Sequence, residues 1–190
     1  DYAGFPASAY RIQYPVSGSP ALADNIQNTL RQHGIAAELD QQRGFDHGLF
    51  VPLKLMFPDA AIPCVQLSLL SNLDPAAHLA IGQALRGLRR ENILFIGSGF
   101  SFHNMHGFFN GSDKLDNQNI AFQDWLIDSC TNPHLSSAER HSRLIHWNQA
   151  PAAAICHPRA EHLLPLQVCA GLSDHAAELI FNDLVLGKNC

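Results

Sequence analysis

"ILFIGSGFSFHNM", residues 93–105, decides how the chain is read. An apolar run ends at Gly97 and Gly99, and His103 follows four residues beyond the second glycine. Three loop chemistries use small residues in this way, and each is tested by its register. A dinucleotide loop needs G-x-G-x-x-G so that backbone can close on a pyrophosphate. Here Phe102 occupies the third glycine position and blocks that approach. A phosphate loop needs Gly-Lys-Ser/Thr, which is absent, and a hydrolase elbow needs G-x-S-x-G. The run Gly97-Ser98-Gly99-Phe100-Ser101 is out of register for it. What remains is a buried strand with a small-residue end that delivers a histidine. At the carboxyl end of a strand in an open α/β sheet, an imidazole can act as a general acid/base near neutral pH. It can equally be an ordinary residue capping the strand, and the residues alone leave both readings open.

Outward from this stretch, apolar runs alternate with amphipathic ones. Strands are expected at 35–39, 62–70, 92–99 and within "ELIFNDLVL" (178–186). Pro20 after Ser19 opens a helix that Gly34 stops, and Asp74-Pro75 opens a second, with Arg86, Arg89 and Arg90 in its last turn. "NIAFQDWLIDSC" (119–130) reads as helical, Ser136 with Glu139 forms a capping box, and a final helix covers "RAEHLLPLQVCAG" (159–171). Residues 44–60 read as a loop entering an apolar element, and 110–119 as a polar loop. The pattern predicts an α/β fold, a mixed or parallel central sheet with helices on both faces, in one domain spanning 1–190.

The 190 residues are 46% hydrophobic and 15% charged, with a formal charge of −5. No basic run exceeds Arg89-Arg90, which argues against nucleic acid or an anionic membrane as partner. No stretch approaches the roughly 20 apolar residues of a membrane span. Five cysteines with no C-x-x-C, two of them (Cys64, Cys169) in apolar runs, fit buried free thiols and a cytoplasmic setting.

Eleven histidines justify a search for a metal or acid/base site. In "GFDHG" (44–48), His47 sits between Asp46 and a glycine, as a functional imidazole or a turn histidine bonded to backbone. In "HPRAEHLLPL" (157–166), the five-residue gap between His157 and His162, broken by Pro158, does not put both on one helical face. A single ligand from Glu161 or His162 is the better reading. His106 shares a face with His103 only if that segment is helical. His33, His78, His134, His141, His146 and His175 are read as surface. Phe100, Phe102, Phe108 and Phe109 line a pocket or fill the core.

Taken together, "DYAGFPASAYRIQYPVSGSPALA", "RGFDHGLFVPLKLMFPDAAIPCVQLSL", "GSGFSFHNM" and "HPRAEHLLPL" resemble, in order and spacing, the class III extradiol ring-cleavage dioxygenases of the LigB superfamily, nearest its 4,5-DOPA dioxygenase-like branch. The resemblance implies a non-haem Fe(II), with zinc as another ion that could occupy the site, binding a catechol-type diol and O₂ side by side. It implies that His103 is the acid/base, His162 a metal ligand and His47 a substrate-binding histidine, with Glu161 as the competing ligand. It also implies two upstream metal-binding histidines, one in a Gly-His-Gly-Ser-Pro turn and one in a Ser-Ala-His-Trp run, and neither motif occurs here. The chain is therefore expected to lack its N-terminal segment, and to stop short at its C-terminus, leaving the metal site incomplete. The competing expectation is a product that keeps the fold as a binding or interaction protein, with an exposed sheet edge covered by homodimerisation.

Overall fold

The structure, a computed structural model, describes residues 5–190; the "DYAG" that opens the first matching block lies outside the described residues. Its contacts fall into two compact units, Asp1–Ser68 and Leu69–Cys190.

In the first unit, α1 (Pro20–Gln32) begins with proline in its first turn, and Gly34 takes the positive φ of 75° that ends it. Helix α2 (His47–Met56) is capped by Asp46, whose carboxylate accepts the Gly48 N–H at 3.0 Å. The apolar element expected after "GFDHG" is thus a helix that starts at the histidine. Leu30, Leu49 and Leu53 are the buried residues of this unit's helices, and Lys54 Nζ donates to the Gln13 carbonyl at 2.9 Å.

In the second unit, α3 (Pro75–Leu85) is capped by Asp74, which accepts Ala76 N at 2.8 Å and Ala77 N at 3.4 Å. A 3-10 turn, Arg86–Arg90, follows. Its arginines reach another helix end: Arg86 donates from Nε and Nη2 to Gly171 O, and Arg89 Nη1 to Leu172 O at 3.0 Å. The carbonyls they satisfy end α8 (Leu164–Gly171), which packs on α3 at a glycine crossing. A Cβ at Gly82 would lie 1.9 Å from Val168 O, and one at Gly171 2.2 Å from Leu79 O.

Helix α4 (Met105–Phe109) precedes α5 (Asp113–Thr131), and the polar run 110–119 is mostly the start of that helix rather than a loop. Ser112 caps it by accepting Leu115 N, and Asp113 and Asp116 suit the positive end of its dipole. Helix α6 (Ser137–Ile145) carries the expected capping box of Ser136 and Glu139. Arg140, buried, forks onto the carbonyls of Ser129, Cys130, Asn132 and Leu135 and so satisfies the end of α5. A short α7 (Ala153–Cys156) comes before α8. The core joins Phe102, Phe122, Leu126, Leu144, Trp147, Ala153, Cys156 and Leu163.

The central sheet predicted from the apolar runs is not formed among the described residues. They contain one two-stranded antiparallel sheet, β1 (Leu184–Val185) with β2 (Lys188–Asn189), and one isolated parallel bridge, Gly18 with Cys64. Residues 35–39, 62–70 and 92–99 lack regular ladders, and the described chain is mostly helical. The physical reason is that a strand exists only with a neighbour for its N–H and C=O groups. The sequence pattern survives as alternating exposure: Ile93 and Phe95 are partly covered while Leu94 and Ile96 face outward. Two histidines read as surface are buried instead. His78 accepts Leu70 N on Nε2 at 3.1 Å and donates from Nδ1 to Asp74 O, and His141 lies against Ala170 O. Imidazoles on helices are buried where a carbonyl meets them, which helical spacing does not show.

The glycine crossing of α3 and α8 has no room for a methyl group. Gly82→Ala is expected to lower the denaturant midpoint by the equivalent of about 1–3 kcal/mol with an unchanged slope, read by circular dichroism in urea.

Candidate functional site

Residues 100–104 are laced to residues 155–162 by hydrogen bonds at successive points. Phe100 N donates to His162 O at 2.8 Å, and His103 N donates to Cys156 O at 2.9 Å. Asn104 Nδ2 donates to Ile155 O at 2.8 Å, and His157 Nε2 lies 2.8 Å from Ser101 O. The segment after the two glycines is thereby held along the turn that precedes α8.

The glycines explain how close that approach is. A Cβ at Gly99 would stand 2.4 Å from His162 O, and one at Gly97 would stand 2.6 Å from Cys169 Sγ and 3.0 Å from Pro165 O. Their role is to let the backbone of the "EHLLP" turn lie directly on the strand-like segment. The small residues in the opening stretch serve packing and not phosphate binding.

The consequence is that His103 and His162 stack, with ring centroids 3.4 Å apart and planes 11° from parallel. Both residues are half-buried. Helix α4 starts two residues after His103 and is capped by Asn104, whose Oδ1 accepts Gly107 N at 3.0 Å. His106 falls on that short helix and is exposed. His162 sits in the turn before α8, not on a helix as the sequence pattern proposed. His47, the first residue of α2, is half-buried in the other unit, and its neighbour Asp46 is occupied by the helix cap and by Arg43 at 3.7 Å.

Glu161 lies beside the pair. Burial pulls its carboxyl up, but its own backbone N–H, the Arg159 guanidinium 3.1 Å away and His162 pull it down further, so its acidity is strengthened on balance. Arg159 holds this carboxylate as an exposed ion pair.

His157 is the histidine whose position the sequence did not reveal. It is buried, with Phe122 and Trp147 against its ring at 5.4 Å and 5.9 Å. Burial is the main cause that pushes its pKa down to about 4, assisted by His103 and His162, while the Ser101 carbonyl opposes the shift. The ring is therefore neutral at pH 7, with Nε2–H donating to Ser101 O and Nδ1 left without a hydrogen-bond partner. Next to it, burial pushes the Cys156 thiol up to about 12, which removes thiolate chemistry from this site. Phe102 is fully buried and meets Phe108 edge-on at 5.0 Å, so it is core, whereas Phe109 is exposed.

Could these donors hold a metal? A lone pair on an imidazole lies in the ring plane, and a nitrogen–metal bond is about 2.1 Å long. An ion midway between rings 3.4 Å apart would lie well off both ring planes, out of line for either lone pair. His103 and His162 therefore do not ligate one ion together in this arrangement. Among the described residues no group of three or more His, Cys, Asp or Glu side chains is placed to hold a metal ion. A facial set of three is not complete, so the donors present do not fit a metal centre by themselves. A surface hollow of about 790 Å³ beside α5 and α7 is lined by Lys114, Asn117 and Gln118 and by no histidine.

The buried neutral His157 makes stability depend on pH. Its folded pKa of about 4 lies below the unfolded value of 6.5, so unfolding takes up a proton between these limits. Stability from this residue is present above pH 6.5 and is lost as pH falls toward 4, by up to about 3 kcal/mol. Between pH 8 and pH 4.5, the urea midpoint should fall further for the wild type than for His157→Gln.

Residues 1–186 match the family described as the catalytic LigB subunit of aromatic ring-opening dioxygenase. The 4,5-DOPA dioxygenase extradiol of Beta vulgaris is 40% identical over 185 residues, covering 96% of this chain and 67% of that protein. Dioxygenase tasH of Hapsidospora irregularis is 36% identical over 203 residues, covering 98% and 60%. The crystal structure of uncharacterized protein JW3007 from Escherichia coli K12 superposes with a TM-score of 0.81 at 30% identity, covering 95% of this chain and 73% of that one. The chain spans about two thirds of the length of the curated relatives it matches. With the motif blocks, the fold likeness and a match over residues 1–186 in agreement, the chain belongs to the LigB family of aromatic ring-opening dioxygenases.

Proposed function

We propose that this protein is an extradiol ring-cleaving dioxygenase acting on a catechol-type aromatic with O₂. The observation that carries the reading is the stacked pair His103 and His162, brought together by two backbone segments that are far apart in sequence. One imidazole of such a pair serves as a ligand and the other as a proton carrier, since the stack prevents both from ligating the same ion.

His103 is the acid/base of this reading. Ring opening beside a diol requires removal of a hydroxyl proton and its return to an oxygen of the product, and an imidazole performs both near neutral pH. His47 is assigned to hydrogen-bond the diol or the charge that develops on it. His162 is the metal-binding residue, preferred over Glu161 because Arg159 already engages that carboxylate. A non-haem Fe(II) would supply the activation of O₂ and the Lewis acidity toward the diol, whereas zinc in its place, having no redox chemistry, would supply the Lewis acidity alone. It would need donors in addition to those that the described residues bring together.

That incomplete donor set favours one alternative, a relative that keeps the fold and binds aromatic diols or a protein partner without turning them over. No described helix is long and apolar enough to cross a membrane.

An oxygen electrode with a panel of catechols, run beside iron analysis, separates the two. With the further donors supplied, ring cleavage predicts O₂ uptake with iron near one per chain, and a loss of about 10²–10⁴-fold in kcat for His103→Ala with iron retained. His162→Ala is expected to lose the iron itself. Neither iron nor O₂ uptake with any catechol would leave the binding reading.

A further inference from the structure

We propose that His157 is a positioning residue for His103, holding the segment that presents it by a hydrogen bond to the Ser101 carbonyl. This rests on the reading of His103 as the acid/base.

Ser101 O accepts two donors from buried side chains. His157 Nε2 is at 2.8 Å and Gln123 Nε2 at 3.0 Å, with the two residues 2% and 4% exposed. Gln123 comes from α5 and His157 from the end of α7, so one carbonyl, two residues before His103, is gripped by two elements. The His157 ring has little freedom to leave, being wedged between Phe122 and Trp147. The preceding residue, Cys156, offers its carbonyl to His103 N at 2.9 Å. His157 and Cys156 together thus fix the backbone on both sides of Phe102, whose side chain is fully buried.

The effect on the imidazole pair follows from short levers. His103 stacks on His162 across 3.4 Å, and a segment released at Ser101 would tilt or slide one ring against the other. A displacement of about 1 Å in a catalytic group can cost about 10²-fold in rate. His157 touches no substrate and acts only through the main chain.

The test uses the full chain in the form purified, with His157→Leu, His157→Gln and Gln123→Met. Glutamine places an amide N–H where the imidazole Nε2–H was, so it should preserve the bond to Ser101 O. With a catechol that the wild type cleaves, His157→Leu is expected to lower kcat about 10–100-fold with KM within about threefold, while His157→Gln stays within about threefold of wild type. Gln123→Met, which removes the other grip, should show the same kcat-selected loss in milder form. A second readout needs no catalysis: residue-resolved amide hydrogen exchange should show faster exchange at His103 in His157→Leu, with Leu126 and Leu144 protected as before.

Were the wild type inactive with every catechol, the ring-cleavage reading would fail, and the exchange data would still judge the positioning role. The proposal is overturned if His157→Gln is as impaired as His157→Leu, if protection falls alike throughout the unit, or if His103 exchange is unchanged. Should His157→Leu fail to fold, His157→Gln and Gln123→Met decide between them. A preserved kcat in the first with a loss in the second supports the positioning role, and the reverse order overturns it.

Discussion

The site depends on the main-chain lacing between residues 100–104 and 155–162. Without it, His103 and His162 are two residues of irregular segments far apart in the chain. With it, their rings stack. Each bond is ordinary in strength, worth about 0.5–1.5 kcal/mol net. The arrangement gains its definition from their succession, because donors and carbonyls of the two segments meet at one point after another along their length.

That lacing requires backbone to touch backbone, and Gly97 and Gly99 make this possible. The same device recurs where Gly82 faces Gly171 between α3 and α8. The two contacts share α8 and the turn before it, so the element carrying His162 is seated by close approach on both sides. Around these contacts polar side chains satisfy the carbonyls that close packing would strand. Arg86 and Arg89 serve the end of α8, Arg140 the end of α5, and Gln167 the Leu144 carbonyl at 3.1 Å.

Much of this was legible in the sequence, in proportion to how local the signal was. Asp74-Pro75 and the Ser136/Glu139 box located helix starts because a cap is decided within four residues. The register of "GSGFS" excluded phosphate and nucleophile loops by counting alone. The meeting of His103 with His162 came from resemblance, since no spacing rule links such distant positions. The central sheet failed for a matching reason: an apolar run shows that a segment can be a strand, but a ladder needs a neighbour, and 92–99 has none of regular form among the described residues. The burial of His78, His141 and His157 was hidden because each is decided by a carbonyl that folding brings to the ring. Ser112 was a helix cap overlooked in a run whose polarity read as loop.

The seating of His162 through its own carbonyl separates two kinds of position in this chain. Its backbone is met by main-chain atoms at Gly99 and Phe100, whereas the segment that carries His103 is held by the side chains of His157 and Gln123 at Ser101 O. Replacing a side chain therefore acts on His103 by a route that His162, seated through its own carbonyl, does not share. Sequence drift around the pair is therefore bounded at two places: at the two glycines, where any added side chain collides with the facing backbone, and at the two buried donors to Ser101.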